Sequence, residues 1–341
     1  MMNSRIGLRE VAARAKLSVS TVSRALRNNP KISENTRRRV RQLAESMGYR
    51  PDPVTSAFAE RRWRAHPSQG GQPLAFVTSI PKGTDIRGLW GYCERSAERR
   101  GYALRHFDLS EFSSGGEMSR VLYNRGIRGV IIGRALRDAP PLDLDWDRFS
   151  VVAMAGAWRD VPCPFHGVNT DMFANVQVAY TEVWKLGYRR IGLAPFRHVM
   201  PVSDDAVRLG ACQYMLHHSG MKSRVLPFCL AAPGEGGRED FLKWYRKHKP
   251  DAVISLISLP FFWLQEAGYR IPADVGFACL LLRRTGACAG CRNMNDEWAE
   301  AAIEMLDSQM RHGQRGIPPI ARTVLIEPRW IPGPSLTAQK A

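Results

Sequence analysis

Two short helical patterns, separated by only a few residues, open the chain. The first has apolar residues at spacings of three and four, which predicts one buried face of a helix: Leu8, Val11, Ala12 and Ala15. Leu17 is expected to pack where the chain turns, and Ser18 or Ser20 can cap a second helix that contains Val22 and Ala25. Two short helices with a tight turn between them predict a helix-turn-helix unit.

A third helix is predicted directly after this unit. Ser33 begins it, and Gly48 closes it. Its expected buried stripe has helical spacing: Val40, Leu43, Ala44 and Met47. Pro30 separates it from the second helix, because proline cannot continue a helix.

Positive charge is concentrated around these helices. The net charge of the 341 residues is +17. Residues 1–66 hold 15 Lys or Arg and 5 Asp or Glu, a net of +10, whereas the four-fold longer remainder holds a net of +7. Such a block attracts polyanions through counterion release, although charge alone would also fit a solubilising tail.

The residues of this segment match a known family motif. The motif comprises Val11-Ala-x-x-Ala-x-Leu-Ser-x-x-Thr-Val-Ser-Arg-Ala-Leu26, then Ile32-Ser-x-x-Thr-Arg37, then Gly48-Tyr-Arg-Pro51. Over about residues 6–58 the chain resembles the DNA-binding head of the lactose/galactose repressor (LacI/GalR) family. The alternative for the same residues is a small helical bundle that does not bind DNA.

The resemblance implies roles for single residues of the head. Val19, Ser20 and Arg24 fall at the base-reading positions of a helix that enters the major groove. Arg24 could bond guanine in bidentate fashion, and Val19 could touch a thymine methyl group. Three residues match positions that contact phosphate: Ser23, Arg27 and Thr36. For Ser23 and Thr36, helix capping or simple exposure is the alternative.

A hinge is expected after the head. Asp52–Ala59 aligns with the family segment that becomes helical on operator DNA, where an apolar side chain, usually Leu, wedges into the minor groove. Ala57 and Phe58 match this minor-groove site, with the aromatic Phe58 as the wedge. Packing of Phe58 inside a linker cluster is the alternative. Arg61 to Pro73 then reads as a basic, Pro- and Gly-rich connector.

From Leu74 onward, buried strand patterns alternate with helical ones. This alternation predicts parallel sheets with helices on both faces, in two lobes with a ligand cleft at the carboxyl ends of the strands. The segment resembles the family's effector domain, which is similar to periplasmic sugar-binding proteins. The expected fold is therefore an all-α helix-turn-helix head followed by an α/β, periplasmic-binding-protein-like effector domain of two parallel-sheet lobes.

The predicted boundaries follow from these patterns. The head covers residues 1–51, the hinge helix and linker cover 52–72, and a tail covers 333–341. The effector and dimerisation domain covers 73–332. Its lobe 1 is expected at about 73–187 and 293–317, and its lobe 2 at about 188–292 and 318–332.

Three residues are candidates for effector binding: Trp90, Asp171 and Arg208. Family residues matching Asp171 and Arg208 commonly bond sugar hydroxyls, but Asp171 could instead cap a helix and Arg208 could form a surface ion pair. Trp90 could stack on a ligand or belong to the core. The usual polar groups are replaced by Ser255–Pro260 and Ala278–Arg283, which argues against a simple transfer of the family's pyranose site.

Enzyme chemistry finds little support in the sequence. Cys288-Ala-Gly-Cys291 has a metal- or redox-like spacing, but the segment offers no second pair or His. Gly234-Glu-Gly-Gly237 is predicted to be a loop without a cofactor context. No metal or cofactor is expected. No apolar run has the length of a membrane span and no signal peptide is found, so we expect a cytoplasmic protein, nucleoid-associated when bound to DNA.

The sequence thus predicts a transcriptional regulator, with repression as its expected activity. It is expected to bind a pseudo-palindromic operator in double-stranded DNA as a homodimer. A small-molecule effector, with sugars and sugar derivatives as candidates, would control it. The alternative keeps DNA binding but has a vestigial pocket or one that responds to a protein.

Overall fold

In the computed structural model the described residues are 6–26, 32–49, 71–79, 87–135, 142–154, 163–195, 203–217, 229, 235–283 and 286–339. The head contains three helices: α1 (Leu8–Ala15), α2 (Val19–Leu26) and α3 (Glu34–Ser46). Their apolar faces meet in one cluster, whose fully buried members include Val11, Val22 and Val40. The helix-turn-helix prediction is confirmed.

The first lobe is built on a six-stranded parallel sheet. Its strands are β1 (Gln72–Ser79), β2 (Tyr102–Asp108), β3 (Gly129–Ala135), β4 (Ser150–Met154), β5 (His166–Thr170) and β10 (Thr323–Ile326), in the order β10-β5-β4-β3-β1-β2. Three helices cover it: α4 (Arg87–Arg99), α5 (Gly115–Asn124) and α10 (Asn295–Arg311). Alternation along β1 sends Leu74 and Phe76 into one core layer, and Ala75 and Val77 into the other.

The second lobe has a five-stranded sheet. Its strands are β6 (Ile191–Ala194), β7 (Ala252–Ser255), β8 (Gly276–Leu282), β9 (Ala289–Arg292) and β11 (Trp330–Ile331), in the order β11-β9-β8-β7-β6 with β11 antiparallel to β9. Four helices belong to it: α6 (Met172–Lys185), α7 (Ser203–His217), α8 (Glu235–His248) and α9 (Leu259–Glu266). Two lobes, each with a mainly parallel sheet, confirm the expected fold class.

Several expectations differ from the observed topology. Residues 323–326 were expected in lobe 2, but they form β10, which pairs with β5 in the first sheet. Helix α6 was expected in lobe 1, but Val176, Tyr180 and Val183 pack in the core of the second lobe. These assignments depend on strand pairing between distant segments, which local patterns do not encode.

Two further corrections concern expected loops. The prediction of a loop at Gly234–Gly237 is wrong for the described part, because α8 begins at Glu235 and includes Gly236 and Gly237. The expected tail is also partly wrong. Ser335 is buried, donates to the carbonyl of Phe277 (2.6 Å) and accepts from the amide of Ala289 (2.7 Å), so it joins the second lobe.

Candidate nucleic-acid interface and ligand site

The predicted reading residues lie on one exposed face of α2. At about 100° per residue, Val19, Ser20 and Arg24 fall within an arc of about 140°. All three are exposed, with Val19 at 41%. Val22 and Ala25 are fully buried on the opposite side of the helix. The helix therefore presents a short apolar, a hydroxyl and a guanidinium side chain together, which can read base edges in a major groove.

Local contacts fix the start of this helix. The side chain of Ser18 accepts from the amide of Thr21 (3.1 Å), so Ser18, rather than Ser20, is the cap. The hydroxyl of Ser20 lies 2.9 Å from that of Ser18. Before the cap, Lys16 adopts a left-handed conformation (φ 55°), which ends α1 and turns the chain.

The third helix ties the other two together. Arg39 donates to the carbonyl of Ala15 at the end of α1 (3.2 Å). The start of α3 is capped by Ser33. The side chain of Ser33 accepts from the amide of Thr36, and its hydroxyl lies 2.8 Å from the hydroxyl of Thr36. Thr36 therefore takes part in helix capping, which was the alternative to a phosphate contact in the sequence analysis. Its phosphate contact stays a prediction.

The remaining DNA-contact predictions have different positions. Ser23 is half-buried on α2, within the arc of the reading face. Arg27, Ala57 and Phe58 lie outside the described residues, as does the whole predicted hinge. Their roles stay predictions from the resemblance.

Asp171 lies at the amino end of α6, and Arg208 lies in the second turn of α7. Asp171 caps α6, accepting from the amide of Ala174 (2.9 Å). Arg208 is almost fully buried (3% exposed) and lies 3.1 Å from Asp205 and 3.6 Å from Asp204. The expected alternative of a surface ion pair for Arg208 is wrong, because the pair is buried.

This charged group reaches the first lobe through Asn169. The side-chain amide of Asn169, on β5, donates to Asp204 (3.0 Å). Burial lowers the pKa of Arg208, while the two carboxylates oppose that shift. Two carboxylates and one guanidinium leave the group with a formal charge of −1. A ligand that bonds Arg208 therefore has to compete with Asp204 and Asp205.

Trp90 lies in an aromatic group of the first lobe. Its ring contacts Phe76 edge-on (5.8 Å between centroids) and His106 likewise (5.9 Å). His106 in turn shares a hydrogen bond with Thr78 (2.6 Å) near the carboxyl end of β1. Trp90 is half-buried, so part of its surface remains open. The structure does not bring Trp90 into contact with Asp171 or Arg208 among the described residues.

Sequence reasoning did not single out three polar residues whose side-chain oxygens are buried. The oxygens Asn175 Oδ1, Ser255 Oγ and Asn293 Oδ1 have no hydrogen-bond partner within the described part of the chain. Asn175 is otherwise held by the carbonyl of Leu280 (3.2 Å). Orphaned buried polar atoms cost free energy unless another group satisfies them. Asn175 lies in the first turn of α6, Ser255 ends β7 and Asn293 follows β9, and no local motif marks any of them.

The Cys288–Cys291 pair lies in the core. Both thiols are reduced and buried, and burial raises the pKa of Cys288 to about 11 and that of Cys291 to about 12. Thiols held in this state are poor nucleophiles and metal ligands. The described residues contain no group of three His, Cys, Asp or Glu that could hold a metal ion. None of their helices is long and apolar enough to cross a membrane.

Two family models match the chain. Residues 7–52 match the model for bacterial regulatory proteins of the lacI family. Residues 180–336 match the periplasmic binding protein-like domain. A helix-turn-helix head joined to a two-lobed binding domain defines a class of bacterial transcription regulators.

Similar proteins agree with this class. A helix-turn-helix transcriptional regulator of Mycobacterium tuberculosis is 27% identical over 195 residues, which cover 57% of this chain and 53% of that protein. The repressor CytR of Escherichia coli is 49% identical over 47 residues, 14% of each chain. The chain thus spans about half the length of the former relative. Its head and its binding domain are thus similar to those of LacI-family transcriptional regulators.

Solved structures share the fold. The transcriptional regulator CelR in complex with cellobiose superposes with a TM-score of 0.60 at 16% identity, covering 97% of this chain and 100% of that one. The lac repressor dimer bound to operator superposes with a TM-score of 0.54 at 14% identity, covering 98% and 100%. At this identity the likeness establishes the fold alone.

Proposed function

We propose that the protein is a sequence-specific DNA-binding transcriptional regulator that acts as a repressor. The observation that carries the proposal is the exposed face of α2, where Val19, Ser20 and Arg24 stand opposite the buried Val22 and Ala25. Arg24 reads a guanine, and Val19 contacts a thymine methyl group. Ser23, Arg27 and Thr36 hold the head on the phosphates. Because its target is genomic DNA, we expect the protein in the bacterial cytoplasm.

The regulator binds as a homodimer in this proposal. Two heads read the two halves of a pseudo-palindrome, because the symmetry of the protein imposes symmetry on its operator. Ala57 and Phe58 enter the minor groove at the centre, and Phe58 kinks the site. A structural neighbour, the lac repressor, is a dimer bound to its operator, which supports binding as a dimer.

A small molecule in the cleft between the lobes controls DNA binding. Support comes from structural neighbours that hold cellobiose, xylulofuranose and ribose, which favours a sugar or sugar derivative. The ligand would bind the closed and open lobes with different affinities and so shift the population of the DNA-competent state. Trp90 offers a stacking surface, and Asn175, Ser255 and Asn293 offer oxygens without partners.

A second candidate is a regulator whose pocket no longer binds a sugar. It is favoured by two observations: Asp171 is committed to capping α6, and Arg208 is committed to Asp204 and Asp205. A thermal-shift screen against sugars and sugar acids separates the two. A ligand that raises Tm and changes operator affinity supports the first candidate, whereas no stabilising ligand supports the second.

The DNA-binding proposal is tested by selecting bound duplexes from a random library with purified protein. We expect enrichment of a two-fold symmetric sequence. Recovery of unenriched DNA would refute sequence-specific binding.

A further inference from the structure

Strand direction places one edge of the first sheet next to the point where the chain enters this lobe. The six strands of this sheet are parallel, so their amino ends meet at one edge. The chain enters β1 at Gln72, directly after the basic linker that follows the head. This edge is therefore the part of the first lobe that is covalently nearest to the DNA-binding head.

Five arginines lie at or next to this edge, which we call the arginine edge: Arg125, Arg128, Arg148, Arg315 and Arg322. Arg125 and Arg128 lie between α5 and β3, Arg148 precedes β4, and Arg322 precedes β10. Arg315 follows α10, and the next residue, Gly316, donates its amide to the carbonyl of Phe149 (3.0 Å), which places it beside Arg148. Arg125, Arg315 and Arg322 are exposed.

Two of these arginines lie over the ring of one tyrosine, Tyr123. The guanidinium carbon of Arg128 lies 3.8 Å from the centroid of the Tyr123 ring, and that of Arg148 lies 4.9 Å from it. Arg128 is held in place by the carbonyls of Tyr123 and Ile127 (3.0 and 2.7 Å). Burial lowers the pKa of Arg315, and repulsion from the charge of Arg128 lowers it further.

Carboxylates do not balance this cluster. Asp145 forms an ion pair with Arg148, and Asp147 lies beside Gly316. Within the described residues, Arg125, Arg128, Arg315 and Arg322 take part in no ion pair. Five arginines against these two aspartates leave a net charge of +3. Arg99 and Arg100, which precede β2 at the same edge, are left out of the cluster because both are paired with Glu300 (2.6 Å each).

We propose that the arginine edge binds the sugar–phosphate backbone of operator DNA, so that the effector domain itself adds phosphate contacts to those of the head. This rests on the proposed DNA-binding function. Guanidinium groups suit phosphate because their fixed donors match its oxygens, and ordered arginines lose less entropy on binding than free ones. Along the sequence, positive charge continues from the head through Arg61, Arg62 and Arg64 towards the start of this lobe, which favours DNA over an acidic protein.

The test measures operator affinity as a function of salt for the full-length protein. The probe is a selected operator duplex with flanks of random sequence. The variant Arg128→Gln/Arg315→Gln removes two charges from the arginine edge. Lys243→Gln/Arg246→Gln removes two charges from exposed positions on α8 of the second lobe and is the matched control. Arg128→Lys/Arg315→Lys keeps the charge and reports on folding and local packing.

Each lost phosphate contact should flatten the slope of log K against log salt by about 0.9. If the Gln pair loses one or two contacts, a fourfold rise in salt should therefore lower wild-type affinity about 3- to 12-fold more than the affinity of the Gln pair. The Lys pair should keep most of the wild-type slope, and the control pair all of it. Sequence preference should not change in any of them.

The proposal is overturned if the Gln pair has the same salt slope as the control pair. An acidic protein partner would give that same result, because the DNA slope would then be independent of this edge. A flattened slope in the Lys pair as well would also overturn it, since the loss would then follow local structure rather than charge. Failure of the DNA-binding proposal itself is distinct: the wild-type protein would then show no selected operator at all.

Discussion

Removal of Arg208 tests whether the charged group of the second lobe is structural. We consider Arg208→Met, which keeps most of the aliphatic length but deletes the guanidinium. Asp204 and Asp205 would then remain together without their cation, with side chains only 11% and 20% exposed. Breaking a buried pair by removing one partner costs about 3–5 kcal/mol. Because Asp205 keeps some contact with solvent, we expect the lower end, about 3 kcal/mol.

The assay is urea unfolding of the protein without ligand, with the free energy of unfolding compared at equal m-values. The matched control is Arg238→Met on α8, whose pair with Glu266 is exposed (37% and 61%) and should contribute less than about 1 kcal/mol. Asp205→Asn should cost less than Arg208→Met, since Asp204 still faces Arg208.

A residue kept only to bind an effector would behave differently. Its removal would leave the ligand-free protein as stable as the wild type. A change of less than about 1 kcal/mol for Arg208→Met, equal to that of the control, would therefore refute the reasoning. Arg208 would then again be a candidate for binding a ligand.

Three further predictions concern the cap of α2, an ion cluster and the thiols. Ser18→Ala should lower the stability of the head by about 1 kcal/mol, because the amide of Thr21 loses its acceptor; hydrogen exchange of α2 measures this, and unchanged protection would contradict it. Hydrogen bonds from Ser96, Arg99 and Arg100 lower the pKa of Glu300 to about 2. A carboxyl whose pKa is depressed in the folded state stabilises it above the unfolded pKa of about 4.5, and this stability is lost as the pH falls towards 2. Thermal unfolding of Glu300→Gln should therefore lose less Tm than the wild type over that range, and parallel losses would exclude the effect. Burial raises the pKa of the Cys163, Cys288 and Cys291 thiols, but Cys163 is only half-buried whereas the other two are buried, so the native protein at pH 8 should label Cys163 before them; rapid labelling of Cys288 or Cys291 would revive a redox role.

The head could be predicted from its sequence because all its signals are local. The apolar spacing of α1, the Ser33 cap and the end of α3 near Gly48 (φ 69°) lie within a few residues of the structure that they determine. The choice between Ser18 and Ser20 as the cap was left open, since both stand within reach of the first turn of α2.

The effector domain could be predicted only in outline. Buried strand runs such as Val130–Ile132 are local signals, but the pairing of β10 with β5 joins residues more than 150 positions apart. Gly236 and Gly237 favoured a loop, yet the buried Phe241, Trp244 and Tyr245 recur at spacings of three and four and build α8. Tertiary packing there overrides the low helix propensity of glycine.

The candidate ligand site was predicted least well. Asp171 and Arg208 were chosen by family position, which carries no information on what each side chain contacts. The spacing of Asp204 and Asp205 to Arg208, four and three residues, is itself a signal for pairing on one helix face. The orphaned oxygens of Asn175 and Ser255 become visible only when the elements around them are assembled.

Base reading by Arg24 is the central claim, and one comparison tests it most directly. Affinities of the wild type and of Arg24→Ala are measured for the selected operator and for its single-base variants. We expect Arg24→Ala to lose about 1–3 kcal/mol on the operator and to become tolerant at one base position. Arg27→Ala, the phosphate-contact control, should weaken all sequences about equally. An equal loss on all sequences for Arg24→Ala would contradict the assignment of α2 as the reading helix.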